Sequence, residues 1–366
     1  MWFERMTLEI WFDTHQYQVD HDIGESAVKF AHFGDLGIDL DRLALRYGHH
    51  GGRPDLRELI AERDEGVSAG DVVVTTGASE ANFVIVSALV KPGDHVLIEH
   101  PTYPSLYEVP RSLGCDVTLF TLAYSDGFRP DLDRLESLIR PDTRLISFTH
   151  PNNPTGSMIT TADLERLIEI AERHDCYLMF DETYREMSYP DPLPTAAAMS
   201  DKAITISTMS KTFGLPGIRV GWLASGDRSI MDAAIAIREQ ITIANNAVGE
   251  EIATQVLGRR DEFLVKTRDL VQGNMAVAAA WVESQDYLEW VAPDAGVVAF
   301  PRFVDGFPVD PEKVYRTLVE DYRTFVVPGR CFEMDNRHFR LGFGSTRDDL
   351  ETGMARFGEA VASLIG

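Results

Sequence analysis

One lysine stands among hydroxyls and glycines in Ser207-Thr208-Met209-Ser210-Lys211-Thr212-Phe213-Gly214-Leu215-Pro216-Gly217-Ile218-Arg219-Val220-Gly221-Trp222. Arg219 follows Lys211 within the same run. A lysine on a tight loop, with hydroxyls, glycine amides and a guanidinium nearby, suits Schiff-base chemistry with a phosphate-bearing aldehyde. A lone Ser-Lys pair would read as an ordinary solvated lysine. Gly214, Pro216, Gly217 and Arg219 in one run shift the reading towards a site.

The elements around this run must position it. Ala203 to Ser207 is apolar and β-branched, as a short buried strand is, and Ile218 to Ala224 reads as a second strand. Lys211 therefore sits just past a strand end. Other polar residues share that placement. The strand predicted over Arg144 to Thr149 runs into His150-Pro151-Asn152-Asn153-Pro154-Thr155-Gly156. The strand Tyr177 to Asp181 closes on an aspartate, which is costly unless paired. Asn153, Asp181 and Lys211 thus each follow a separate strand at its carboxyl end, the edge where open α/β sheets bind ligands. Asp181-Glu182 also permits a metal site, but no His or Cys cluster supports one. Upstream, a strand over Asp71 to Thr76 leads into Gly77-Ala78-Ser79, which opens a helix and offers free amides to a phosphate. His95 to Glu99 is a strand running into His100-Pro101-Thr102-Tyr103-Pro104.

These motifs, in this order, resemble the class I/II aminotransferase family of fold-type I pyridoxal-phosphate (PLP) enzymes, from about Tyr47 to Gly344. The resemblance implies an α/β fold: a large domain with a mixed, mostly parallel sheet flanked by helices, plus a smaller α+β domain. The boundaries expected are an arm and small-domain segment over 1–45, a PLP-binding domain over 46–250 and a small domain over 251–366. It implies that Lys211 carries the cofactor and shuttles a proton. Asp181 keeps the pyridinium nitrogen protonated, Asn153 and Tyr184 bond the ring oxygen, and Tyr103 stacks on the ring. Gly77, Ala78, Ser79, Thr208, Ser210 and Arg219 bind the phosphate. Tyr47 reaches the neighbouring subunit's phosphate, so a homodimer with shared sites is expected. His49 and His50, beside it, are candidates to line the pocket. Arg340, in His338-Phe339-Arg340-Leu341-Gly342-Phe343-Gly344, grips the substrate α-carboxylate, although an arginine on an edge strand is often merely half-exposed.

Residues 1–45 interleave Trp2, Phe3, Trp11, Phe12 and Tyr17 with Asp13, Asp20, Asp22, Glu25, His15 and His21. This reads either as an aromatic-anchored arm or, by resemblance, as the segment that crosses the mouth of the site. The second reading brings carboxylates, Glu25 among them, to the substrate and favours a cationic side chain. The expected reaction is transamination of an L-amino acid with a 2-oxo acid. A narrower likeness adds an alternative. Asp22-Ile23-x-x-Ser26-x-Val28, Phe33-Gly34-Asp35-Leu36, Gly127-Phe128-Arg129-Pro130-Asp131-Leu132 and Arg340 to Gly344 resemble the capreomycidine-synthase type within the family. Enzymes of that type dehydrate and cyclise a hydroxylated arginine.

Composition sets outer limits. The chain has 366 residues, 44% hydrophobic and 25% charged, as a globular protein does. A net charge of −24 argues against a nucleic-acid surface. Only six residues are Lys. No apolar run reaches membrane-helix length, and the N-terminus lacks a signal-peptide core, so the cytoplasm is expected. A PLP-sensing regulator would need a fused DNA-binding domain, for which the family pattern leaves no room. Cys115, Cys176 and Cys331 are too scattered to form a metal site and read as buried small hydrophobes. After Ala224 helices are predicted over Asp227–Ile243, Gly249–Leu257 and Arg259–Glu283. Strands 287–291 and 296–301, helix 310–322, strands 324–327 and 338–343, and a final helix over 346–364 complete the pattern.

Overall fold

The computed structural model describes residues 2–189 and 191–365. Its centre is a seven-stranded sheet. The strands are β1 (Val72–Thr75), β2 (His95–His100), β3 (Asp116–Thr121), β4 (Thr143–Thr149), β5 (Tyr177–Asp181), β6 (Ala203–Thr208) and β7 (Gly221–Ala224). The spatial order is β1-β7-β6-β5-β4-β2-β3. Only β7 runs antiparallel to its neighbours. Every residue of β1, β2 and β6 is buried. Helices cover both faces of such a sheet, which is why these strands read as unbroken apolar runs rather than as alternation.

Local signals set the helices. Ala78–Leu89 begins after Gly77, whose φ of +79° an L side chain rarely adopts. Thr160 and Asp163 form a reciprocal capping box at the start of Thr161–Arg173. The helix predicted to reach Ile243 stops at Glu239, because the Arg238 carbonyl accepts from Ile241, Thr242 and Ile243 in a closing turn. The predicted strand from Ile218 is shortened to Gly221–Ala224: Pro216–Ile218 is a 3₁₀ turn and Arg219 is left-handed at φ +53°.

The C-terminal residues build smaller sheets. Val298–Ala299, Phe339–Gly342 and Val327–Pro328 form a three-stranded antiparallel unit, and Leu288–Glu289 pairs with Arg302–Phe303. These strands are shorter than the pattern predicts. Pro293, Pro301 and Gly296, the last at φ +80°, interrupt the apolar runs. Helix Arg260–Glu283 packs on the final helix Arg347–Ile365. Cys176 and Cys331 are buried as expected, whereas Cys115 lies near the surface and is half-buried. Among the described residues no helix is long and apolar enough to cross a membrane.

The N-terminal segment joins the two regions. Helix Thr7–His15 buries Leu8 and Trp11, and the Trp11 indole donates to the Val326 carbonyl at 2.9 Å. His21–Asp22 pairs in parallel with Thr324–Phe325. The chain then crosses the Lys211 loop, with Val28 N donating to Lys211 O at 3.1 Å and Lys29 N to Gly344 O at 2.7 Å. Gly342 permits this crossing, because a Cβ there would overlap the Glu25 carbonyl.

Candidate active site

At the carboxyl edge of β4, β5 and β6 lies a cavity of about 380 Å³, roofed by the N-terminal segment. Lys211 enters it from the loop after β6. Its Nζ donates to Ser26 Oγ at 3.0 Å and to Glu25 Oε1 at 3.3 Å. Burial works against the ammonium charge, but Glu25 and Tyr184 outweigh it and hold the amine above its usual range.

Asp181 closes β5. Its Oδ1 accepts from Thr183 N at 3.0 Å and Thr183 Oγ1 at 2.6 Å, while Oδ2 accepts nothing among the described residues. Burial pushes its pKa up against those two bonds. A buried carboxylate with a free oxygen facing a cavity calls for a cationic N–H partner. Asn153, on the turn after β4, accepts from Arg340 Nη1 at 3.1 Å. Tyr184 OH donates to the Ser26 carbonyl at 3.0 Å, and burial raises its pKa, with the Lys211 charge opposing.

Arg340 is 1% exposed, so the half-exposed edge reading does not hold. Its Nε donates to Gly24 O at 2.9 Å, and Nη2 is buried with no partner. Arg340 lines the cavity, and a buried guanidinium with an unpartnered N–H is a ready anion ligand. The opposite end of the cavity is also anion-friendly. Ala78 and Ser79 lie in the first turn of their helix, where amides have no intrahelical acceptor. The Arg219 guanidinium packs on Gly77 so closely that a Cβ there would meet Nη2. Thr208 and Ser210 share a hydroxyl contact of 3.0 Å beside it. Together with Asp181, Lys211 and Arg340 in the same cavity, these groups fit a phosphorylated, protonated pyridine: anion donors for the phosphate, a free carboxylate oxygen for the ring nitrogen and an amine.

Two expected residues stand apart. Gly77 backs the cradle without lining the cavity. Tyr47 is 81% exposed and lines a separate groove with His49, Arg53 and Glu250. His50 contacts Glu239 at 2.5 Å, so neither histidine lines the Lys211 cavity of its own chain. Tyr103 does line it, and its OH donates to Glu9 Oε1 at 2.8 Å. Glu9 and Asn82 also line the cavity and were not anticipated. The signal for Glu9 was helical spacing: Leu8, Glu9 and Phe12 fall on one face of Thr7–His15. Of the acidic residues in the arm, Asp13 pairs with Arg5 and Asp20 with Arg323, both at the surface. Asp22 lies behind Glu25, and Gln16 Nε2 bridges the two at 2.8 and 3.2 Å. Burial and the Glu25 charge push the Asp22 carboxyl up to about 6.

The family model described as aminotransferase class I and II matches residues 10–357, so the chain belongs to that family of PLP-dependent enzymes. It is 30% identical to the capreomycidine synthase of Streptomyces vinaceus over 97% of this chain and 93% of the relative. Among solved structures it resembles a PLP-dependent aminotransferase from Streptococcus suis 89-1591, with a TM-score of 0.94 and 29% identity, covering 100% of this chain and 99% of that one. The PLP-dependent cyclase OrfR gives a TM-score of 0.91 at 29% identity over 99% and 98% of the chains.

Proposed function

We propose that this enzyme transaminates an L-amino acid with a neutral or cationic side chain, using a 2-oxo acid as amino acceptor. The observation that carries the reading is the single cavity where Lys211, Asp181, Arg340 and the Arg219 cradle meet. Bound PLP supplies an electron sink for a carbanion at the substrate Cα. The amides of Ala78 and Ser79, the hydroxyls of Thr208 and Ser210, and Arg219 would hold its phosphate, with Gly77 backing them. Asp181 keeps a proton on the ring nitrogen. Asn153 Nδ2 would donate to the ring oxygen, as would Tyr184 on turning its hydroxyl from the Ser26 carbonyl, and Tyr103 would pack on the ring. Lys211 Nζ would carry the cofactor and move the proton at the substrate Cα. Arg340 orients the substrate by its α-carboxylate through Nη2.

Charge narrows the substrate. The cations lining the cavity are Lys211, Arg219 and Arg340, each with an assigned task. None remains for a side-chain carboxylate, while the carboxylates of Glu9 and Glu25 line the same cavity. An amino or guanidino group suits them.

A second reading, dehydration and ring closure of a hydroxylated arginine-like substrate, is favoured by the 30% identity to a capreomycidine synthase over 97% of this chain. Mass identification of products from an amino-acid panel, with and without a 2-oxo acid, separates the two. Conversion that requires the 2-oxo acid supports transamination. Loss of water without an acceptor supports cyclisation and overturns the first reading.

We further propose a cytoplasmic homodimer, with a boundary near residue 250 between its large and small domains. Tyr47, exposed and remote from its own cavity, would complete the partner's phosphate site. An active monomer on gel filtration would contradict this.

A further inference from the structure

Below the cavity floor lies a buried polar cluster that the reaction above does not use. Glu99, near the end of β2, and His150, just after β4, are both fully buried and meet at 2.7 Å between Oε1 and Nε2. The His150 ring lies between Phe148 and Phe180, with each centroid 6.0 Å away. Its Nδ1 faces the Ser157 carbonyl at 3.3 Å. Glu99 Oε2 accepts from Thr149 N at 2.9 Å and from Asn152 Nδ2 at 3.1 Å. Asn152 Nδ2 also reaches the Pro101 carbonyl at 3.2 Å, and its Oδ1 accepts from Thr155 N at 3.1 Å. The His150 amide donates to the Asp181 carbonyl at 3.1 Å.

Two of these side-chain contacts lead to the loops of residues that line the cavity: Pro101 precedes Tyr103 by two positions and Asn152 adjoins Asn153. Asp181 is held beside them by the ladder itself, through the His150 amide. Tyr103 and Asn153 lie beyond the ends of two different strands, where no ladder bond fixes their relative height. Taking a carboxylate and an imidazole out of water is rarely the most stabilising use of a core position. Here it ties the two loops together with directional bonds, which apolar packing does not provide.

We propose that Glu99, His150 and Asn152 form a positioning cluster that sets Tyr103 and Asn153 at one common height for the cofactor ring, beside the ladder-held Asp181. The inference rests on the cofactor placement described above.

The test compares two buried residues of one strand. Glu99 stands at the site end of β2. His95 stands at the far end, with its ring bonded to Thr143 Oγ1 at 2.6 Å and Thr118 Oγ1 at 2.9 Å. The measurements are Tm, the dissociation constant for PLP after resolution and back-titration, and amide hydrogen exchange over residues 149–157. Glu99→Gln is expected to weaken PLP binding roughly tenfold or more and to speed exchange at 149–157. His95→Gln is expected to lower Tm while leaving both readouts as in wild type. A folded Glu99→Gln enzyme with wild-type PLP affinity and wild-type exchange overturns the proposal. Should that variant not fold, Asn152→Ser removes the contacts to Glu99 and Pro101 more gently, and its unchanged PLP affinity would likewise overturn it. Wild-type protein that takes up no PLP would remove the cofactor-site reading and the cluster's role with it, whereas unchanged binding in the variants removes the cluster's role alone.

Discussion

The two walls of the cavity are built on different principles. The sheet-edge wall carries Ser79 at a helix start, Asp181 at the end of β5, and Asn153 and Lys211 on short loops after β4 and β6. The opposite wall is a nine-residue helix, a 3₁₀ turn and the chain beyond it, with Glu9, Phe12, Glu25 and Ser26 lining the cavity. The sheet wall supplies Lys211 and Arg219, and the C-terminal three-stranded unit adds Arg340. The arm supplies carboxylates and an aromatic ring. The first wall is therefore matched to chemistry common to the family, and the second to whatever side chain an individual substrate brings.

The largest expected effect lies on the sheet wall. On the proposed reading, Lys211→Ala removes the amine that would carry the cofactor and move the Cα proton, so kcat is expected to fall at least about 10³-fold. Turnover at more than a tenth of the wild-type rate would break the comparison at its root. Arg340→Leu comes next. It deletes a buried, charge-assisted contact, so KM for the amino acid is expected to rise about 10- to 100-fold, with a smaller change in kcat. An unchanged KM would mean that the α-carboxylate binds elsewhere.

Glu9→Gln tests the arm. The ratio of kcat/KM for basic over neutral amino acids is expected to drop about tenfold, with PLP affinity little changed. Equal losses for both substrate types would assign Glu9 to holding Tyr103 rather than to selecting substrates. Asp22→Asn is the mildest. Its folded-state carboxyl titrates near 6, above the ordinary aspartate value of 3.8, because of burial and then the Glu25 charge. Between those values the folded chain holds more protons than the unfolded one, so stability falls as pH rises and the penalty is complete above about 6. Relative to wild type, the Tm of Asp22→Asn should therefore climb from pH 4 to pH 6 and then level off. A constant offset across that range would show that Asp22 titrates normally.

The same contrast explains what could be read from the sequence. Asn153, Asp181 and Lys211 sit in motifs of a few residues, each directly after an apolar run, so chain-local geometry places them. The sheet strands were legible for the same reason: parallel strands buried on both faces leave an unmixed apolar signature. Helical spacing puts Glu9 on a face with Leu8 and Phe12, but that this face meets the cavity depends on Trp11 and Phe12 anchoring the helix against Val326 and Phe325. Arg340 read as a half-exposed edge residue unless the family pattern was consulted, and its burial depends on the arm crossing at Gly24. The short C-terminal strands were overdrawn because prolines and Gly296 divide runs that hydropathy alone joins.

The central claim is that Lys211, and no other lysine, carries the cofactor. The chain has only six lysines, so borohydride reduction of the yellow holoenzyme, followed by proteolysis and mass spectrometry, reads each one directly. We expect a reduced pyridoxyl-phosphate adduct on the peptide containing Lys211 and on none of the other five lysines. An unmodified Lys211 peptide, or an adduct on a different lysine, would contradict it.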